Sequence, residues 1–401
     1  MQNWRDLRLW AAIFLVISII VGIALVPQLN RYGNLTSISS AENQFMYEKS
    51  IDVMVMLLIG FGFLMVFVKK YGHSSVTATF LLVALSLPLY MLVRPYLWGS
   101  AAELSITSIS MLLFAEFAAA SLLIAIGGPL GRINTSQYLL IGLLFTPLYA
   151  LNEWILLSGA VIPAGAFLDT AGSISIHAFG AYFAFGMIIM LTTKKEREIK
   201  IETSKSSNQF MLLGSALWIF WPSFCAALAP VDKIPLVATN TILALCGATL
   251  ATYALSTLIR GKIEISDIAN ASLAGGVAIG ASVANVTPGW SMLIGLAAGA
   301  ISVIGYTFIQ PRLQKLTGGV DTCGVHNLHG MPGIFGGLVA MTLVAFPLWQ
   351  LTGIVMTVVL AVVMGVVVGF IVSRLGRKQT PYDDKDEFLD SGGSENKETI
   401  S

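Results

Sequence analysis

Long apolar runs separated by short polar stretches fill this chain. A membrane-spanning helix needs roughly 20 consecutive apolar residues. Measured against that length, the sequence offers twelve candidate spans: 8–27, 50–68, 75–97, 104–126, 136–158, 170–193, 208–229, 236–259, 267–287, 291–309, 321–346 and 350–373. The predicted fold class is an all-α polytopic membrane protein. Basic residues in the connections are distributed unevenly. Nineteen of the 23 Lys and Arg fall on one side, leaving Arg31, Lys49, Arg94 and Lys233 on the other. Basic loops stay in the cytoplasm, so both termini are predicted there, in a multi-pass protein of the cell membrane.

The loop 194–209, KKEREIKIETSKSSNQ, is the longest charged cytoplasmic connection. It divides five spans in 50–193 from five in 208–346, leaving 8–27 as an extra N-terminal helix and 350–373 as a final one. Five is odd, so the second set runs inverted relative to the first. The expected transmembrane domain, 1–378, is therefore two inverted five-helix repeats around a central pore. Its first segment has the basic start of a signal peptide but no convincing Ala-x-Ala site, and is read as a retained anchor. The pairs Gly276–Gly280, Gly295–Gly299 and Gly365–Gly369 have the spacing that lets helix backbones approach closely. Residues 379–401 hold seven acids and two lysines among small polar residues, the pattern of a solvated, largely disordered cytoplasmic tail.

Composition narrows the class further. Hydrophobic residues make up 56% of the 401 and charged residues 11%, with mean hydropathy +0.79, which excludes a soluble domain and gives no sign of a nucleic-acid partner. The net charge of +1 decides nothing. Cys225, Cys246 and Cys323 lie in apolar segments without a Cys-x-x-Cys, so neither a disulfide framework nor a metal site is expected. No Gly-x-Ser-x-Gly or phosphate-binding loop occurs, so no enzyme activity or cofactor is expected either.

Within the spans the ionisable residues are Asp52, Glu116, Glu153, His177, His326 and His329. A charge at the bilayer centre costs about 3 kcal/mol on insertion scales. Histidine escapes that cost as the neutral imidazole, which carries one donor and one acceptor. Two segments repeat a theme: "DTAGSISIHAFGAYFAFG" from Asp169 and "DTCGVHNLHGMPGIFGG" from Asp321 close the two five-helix sets. Symmetry brings them together near mid-membrane, and His177 and His326 are predicted as facing imidazoles lining a pore. Depth fits His177, eight residues or about 12 Å of helix past Asp169. His326, five residues or about 7 Å past Asp321, requires its helix to start inside the membrane plane after Gly318-Gly319.

The strings "GFGFLMVFVKKYG", "NEWILL", "SIHAFGAYF", "WPSF", "LAGG" and "DTCGVHNLHGMPGI" resemble the Rhesus (Rh) branch of the Amt/Mep/Rh ammonium transporter superfamily, over nearly the whole chain. The resemblance implies a homotrimer in which each subunit encloses a narrow hydrophobic pore for ammonia. It implies that His177 and His326 are the paired pore imidazoles and that Phe117 and Phe224 are stacked aromatics closing the outer mouth. Asp169 matches an acid near the outer vestibule that organises its helix start. Glu153 matches a vestibule acid, and Glu116 would either raise cation density at the mouth or hydrogen-bond within the bundle. His329 is assigned to packing, Asp321 to capping its helix, and Asp52 and His73 to structure or solvation. Leu228 stands where the Amt branch has a serine of an outer ammonium site, which points to passage at high supply. The implied function is conduction of NH3 after deprotonation of NH4+, in contact with membrane lipid, with methylammonium or CO2 as further solutes. The alternatives are an ion-coupled secondary transporter using Glu116 and Glu153, and an ammonium sensor with the tail as output. Asn34-Leu35-Thr36 is a glycosylation sequon.

Overall fold

The computed structural model describes residues 4–31, 40–98, 108–378 and 380–389. The sequon at Asn34 lies outside them. Ten helices among the described residues are long and apolar enough to cross a membrane. They are α1 (Arg8–Val26), α2 (Asn43–Phe67), α3 (Gly72–Trp98), α4 (Ile109–Gly127), α5 (Thr135–Leu157), α6 (Ser173–Leu191), α7 (Lys205–Ala226), α8 (Val231–Arg260), α10 (Pro288–Thr317) and α12 (Pro347–Ser373). Two predicted spans, 267–287 and 321–346, are shorter helices. These are α9 (Ile265–Ile279) and α11, which joins His326–Gly330 to Met331–Met341. No strand occurs among the described residues.

Local chemistry sets the helix ends. Asn134 and Gln137 form a reciprocal capping box at the start of α5, and Ser108 accepts from the Met111 N–H at the start of α4. Pro288 and Pro347 open α10 and α12, where a missing N–H is harmless. Gly318 takes the left-handed conformation that terminates α10, so the break expected at Gly318-Gly319 is present. Glycine also permits the tightest helix contacts. A Cβ on Gly295 of α10 would lie 2.0 Å from the Ala244 carbonyl of α8, and one on Gly365 of α12 would lie 2.2 Å from the Phe183 carbonyl of α6. Both positions exclude any larger residue. Facing outward, Leu258 and Leu348 are 79% and 74% exposed, as a lipid-covered surface requires.

The tail departs from expectation. Residues 380–389 fold back onto the face where α3 begins, an ordered stretch within the segment read as largely disordered. The cause is a set of specific bonds. The Asp384 carboxylate accepts from the N–H groups of His73 and Ser74 at 3.0 and 2.9 Å, filling donors that the first turn of α3 leaves free. Tyr382 donates its N–H to the Gly131 carbonyl at 2.8 Å, and Glu387 accepts from the Thr135 N–H and hydroxyl at the start of α5. His73, assigned to structure or solvation, thus anchors the tail through its backbone.

Candidate conduction pathway

Two turns of like sequence position the interior. Asp169-Thr-Ala-Gly172 precedes α6, and Asp321-Thr-Cys-Gly324 precedes α11. Gly172 and Gly324 have φ of +75° and +70°, a conformation that glycine adopts without penalty. Each aspartate then reaches forward to cap its helix. Asp169 accepts from the Ile174 N–H at 3.2 Å and from both the N–H and the hydroxyl of Ser175 at 2.8 Å. Asp321 accepts from the N–H groups of Gly324, Val325 and His326 at 2.9, 3.1 and 3.0 Å. A wide π-helical turn follows in both, Ser173–Ala178 and His326–Gly330. The capping expected of Asp169 and Asp321 is therefore observed as geometry.

The ring facing His177 is His329, not His326. The two Nδ1 atoms lie 3.2 Å apart, the ring centroids lie 5.2 Å apart, and the rings are 6° from parallel. One nitrogen donates and the other accepts. The physical reason is register: His329 stands eight residues after Asp321, as His177 stands eight after Asp169. Counting five residues to His326 placed the wrong ring in the middle. His326 packs edge-on against Tyr182 at 5.6 Å and near Phe185 at 6.1 Å. His177 and His329 are both buried, and Nε2 of His177 has no protein partner.

Aromatic rings extend this pair in both directions. Phe117 of α4 and Phe224 of α7 meet at 4.8 Å, as expected, but tilted by 60° rather than stacked. Phe224 lies 5.9 Å from His177, and Trp221 stacks on His177 at 5.8 Å and 16°. Beyond His329, Phe61 of α2 stacks at 6.4 Å and 19°. The resulting column runs Phe117, Phe224, His177, His329, Phe61. His329 and Phe61 also line a cavity of about 270 Å³ whose wall includes Asn208, Glu264 and Asn270. Sequence reasoning missed Trp221, Phe61 and the true place of His329. Trp221 was accessible, since it is three residues from Phe224 and so shares its helix face.

The remaining acids are not at an open mouth. Glu116 is fully buried and accepts from the Ser50 hydroxyl at 2.6 Å, which is the bundle alternative rather than the vestibule one. Glu153 is also buried: it accepts from the Tyr90 hydroxyl and faces the buried Arg94 at 3.7 Å. Arg94 in turn lies over the rings of Trp98 and Phe114, both at 4.4 Å, where a cation meets the negative face of an aromatic ring. A carboxylate recruits cations only where it meets water, so the vestibule assignment of Glu116 and Glu153 is corrected. Asp169 is half-buried, and both of its oxygens accept hydrogen bonds. Asp52, also half-buried, accepts from the Ser223 hydroxyl at 2.5 Å. No group of three or more candidate metal ligands occurs among the described residues.

A family model described as the Ammonium Transporter Family matches residues 12–387. The chain is similar to ammonium transporter Rh type C of Xenopus laevis, 36% identical over 326 residues covering 80% of this chain and 68% of that one. It is 38% identical over 325 residues to ammonium transporter Rh type B of Danio rerio, covering 78% and 69% respectively. It thus spans about two thirds of the length of these relatives. Among solved structures it is similar to Nitrosomonas europaea Rh50, with a TM-score of 0.86 and 48% identity over 89% of this chain and 95% of that one. Saccharomyces cerevisiae Mep2, at TM-score 0.71 and 16% identity over 83% and 85%, shares the fold alone. With the family model spanning almost the whole chain and Rh proteins recurring among its relatives, this integral membrane protein belongs to the ammonium transporter family, in its Rh branch.

Proposed function

We propose that the chain is an ammonia channel of the cell membrane. Ammonium arrives at the outer mouth, leaves its proton in the outer water, and crosses as NH3 past Phe117 and Phe224 along His177 and His329. The observation that carries this reading is the buried pair of facing imidazoles in line with an aromatic column. Nδ1-to-Nδ1 bonding occupies one nitrogen of each ring, and Nε2 of His177 is left to hydrogen-bond a small neutral solute. Sodium, potassium and water cannot shed hydration cheaply in such a lining. His326 is assigned no contact with the solute. Asp169 acts by holding the start of α6.

The finer architecture belongs to the same proposal. Twelve crossings are completed if α9 and α11 traverse the remaining depth where protein covers them, with both termini in the cytoplasm. A homotrimer would cover half-buried polar groups such as Asp52 on α2, which lipid covers poorly. Methylammonium passes slowly by size, and CO2 is a further solute of the same lining. Ion coupling through Glu116 and Glu153 draws no support from their burial within the bundle.

Stopped-flow measurement of internal pH in proteoliposomes under an ammonium gradient tests the channel. Wild type should alkalinise the lumen faster than empty vesicles, and His177→Ala should lose most of that excess. Equal rates for wild-type and empty vesicles would end this reading. Parallel current recordings decide whether charge accompanies the solute.

A further inference from the structure

On the face proposed above as cytoplasmic, a groove of about 480 Å³ lies between the end of α2, the starts of α3 and α7, and the folded tail. Its lining divides in two. Phe63 and Val66 of α2, Val76 of α3 and Phe210 of α7 supply an apolar wall, with the Phe63 and Phe210 rings 5.8 Å apart and Phe210 exposed. Lys69, Lys70 and Lys385 supply a cationic wall, and all three are exposed. None of them pairs with a carboxylate among the described residues. Two acids also line the groove, but both are engaged. Asp384 is buried where it caps His73 and Ser74, and Asp383 Oδ1 accepts from the Lys385 N–H at 3.0 Å. His73 adds an exposed ring, 5.8 Å from that of Phe388. Backbone bonds fix the cationic wall. The Lys69 N–H donates to the Glu202 carbonyl at 2.9 Å, and the Lys70 carbonyl accepts from the Asp384 N–H at 2.8 Å. Only residues 68–71 separate the spans α2 and α3, so both lysines stand at the membrane surface while the apolar wall continues into its depth.

We propose that this groove seats one anionic phospholipid of the cytoplasmic leaflet. Its phosphate lies between Lys69, Lys70 and Lys385, and the upper part of one acyl chain lies along Phe63, Val66, Val76 and Phe210. Apolar surface at lipid depth beside unpaired cations at headgroup depth matches the two halves of a single amphiphile. A soluble anion would use only the lysines and leave the aromatic wall uncovered. A second copy of the chain presenting this same face would set lysine against lysine. A zwitterionic lipid fits the apolar wall equally well but brings its own cation to the rim. Because Lys385 belongs to the tail, the seated lipid bridges the tail to the α2–α3 turn. None of the lining residues belongs to the ring column, so the site stands whether or not that column conducts ammonia.

The test is native mass spectrometry of the full chain, purified in detergent and titrated with phosphatidylglycerol or phosphatidylcholine. Wild type should bind one phosphatidylglycerol per chain about tenfold more tightly than phosphatidylcholine. Each basic residue beside an anionic lipid contributes about fivefold in affinity. Lys69→Gln combined with Lys70→Gln should therefore weaken phosphatidylglycerol binding about 25-fold and leave phosphatidylcholine binding unchanged. Lys385→Gln alone should weaken it about fivefold, which keeps the test decisive if the double variant does not fold. Phe210→Ser should weaken the binding of both lipids. Excess glycerol phosphate should not displace the bound lipid. Equal phosphatidylglycerol affinity in wild type and the lysine variants would overturn the proposal, as would equal affinity of wild type for the two lipids. Displacement by glycerol phosphate would overturn it in favour of a soluble anion. Fewer chains per particle in the lysine variants would overturn it in favour of a contact between copies.

Discussion

At Asp169 the residue is half-buried, and a side chain joins in the capping, since Ser175 supplies both an N–H and a hydroxyl to the carboxylate. At Asp321 the carboxylate is buried and takes only backbone N–H donors, and this turn too is held by other elements. Tyr306 donates to the Cys323 carbonyl at 3.1 Å, Gln310 donates to the Asp321 carbonyl at 2.9 Å, and the Tyr382 and Thr322 hydroxyls lie 3.3 Å apart. The same Asp-Thr-x-Gly element thus delivers a histidine to the same depth by two routes. One is tied to the Gly280 and Ala281 carbonyls beyond α9 and to Gln350 of α12, and the other to α10 and the tail. The comparison teaches that sequence symmetry fixes where the histidines stand but not what holds them there.

The largest effect expected from breaking this symmetry is at Asp321. Asp321→Ala leaves three N–H donors of a buried turn without their acceptor and should destabilise the protein by about 3 kcal/mol. Asp169→Ala should cost roughly half as much, because its site is closer to water. Thermal unfolding in detergent measures both, and equal losses would remove the distinction between the turns. Next, His329→Ala should lower ammonia flux about tenfold, matching the loss of one buried hydrogen bond of about 1.4 kcal/mol. His326→Ala should stay within about twofold of wild type, and the reverse ranking in stopped-flow would restore the five-residue register. The smallest effect is Tyr382→Phe, which removes the hydroxyl near Thr322 and should cost about 0.5 kcal/mol of stability with flux retained.

The spans were legible because apolar length is written directly into the chain, and ten of them appear among the described residues. Helices α9 and α11 were overestimated because apolar residues continue past their ends, through turns that periodicity does not mark. The Phe117–Phe224 contact and the two aspartate caps followed from motif positions. The choice between His326 and His329 was written in the sequence as an eight-residue spacing, but it was obscured by two histidines lying three apart. The burial of Glu116 and Glu153 could not be read, because a carboxylate in a membrane helix has the same letter whether it meets water or a Ser50 or Tyr90 hydroxyl. The docking of the tail was hidden for a related reason. Its acids resemble a solvated charge run until the free N–H groups of α3 are known to lie opposite Asp384.

The aromatic and imidazole column is enclosed within one polypeptide, every ring in it coming from the same chain. Copies that associate would therefore work side by side without sharing a lumen. In a cell making intact and inactivated versions together, uptake should fall in simple proportion to the inactivated fraction, and a damaged copy should silence only itself.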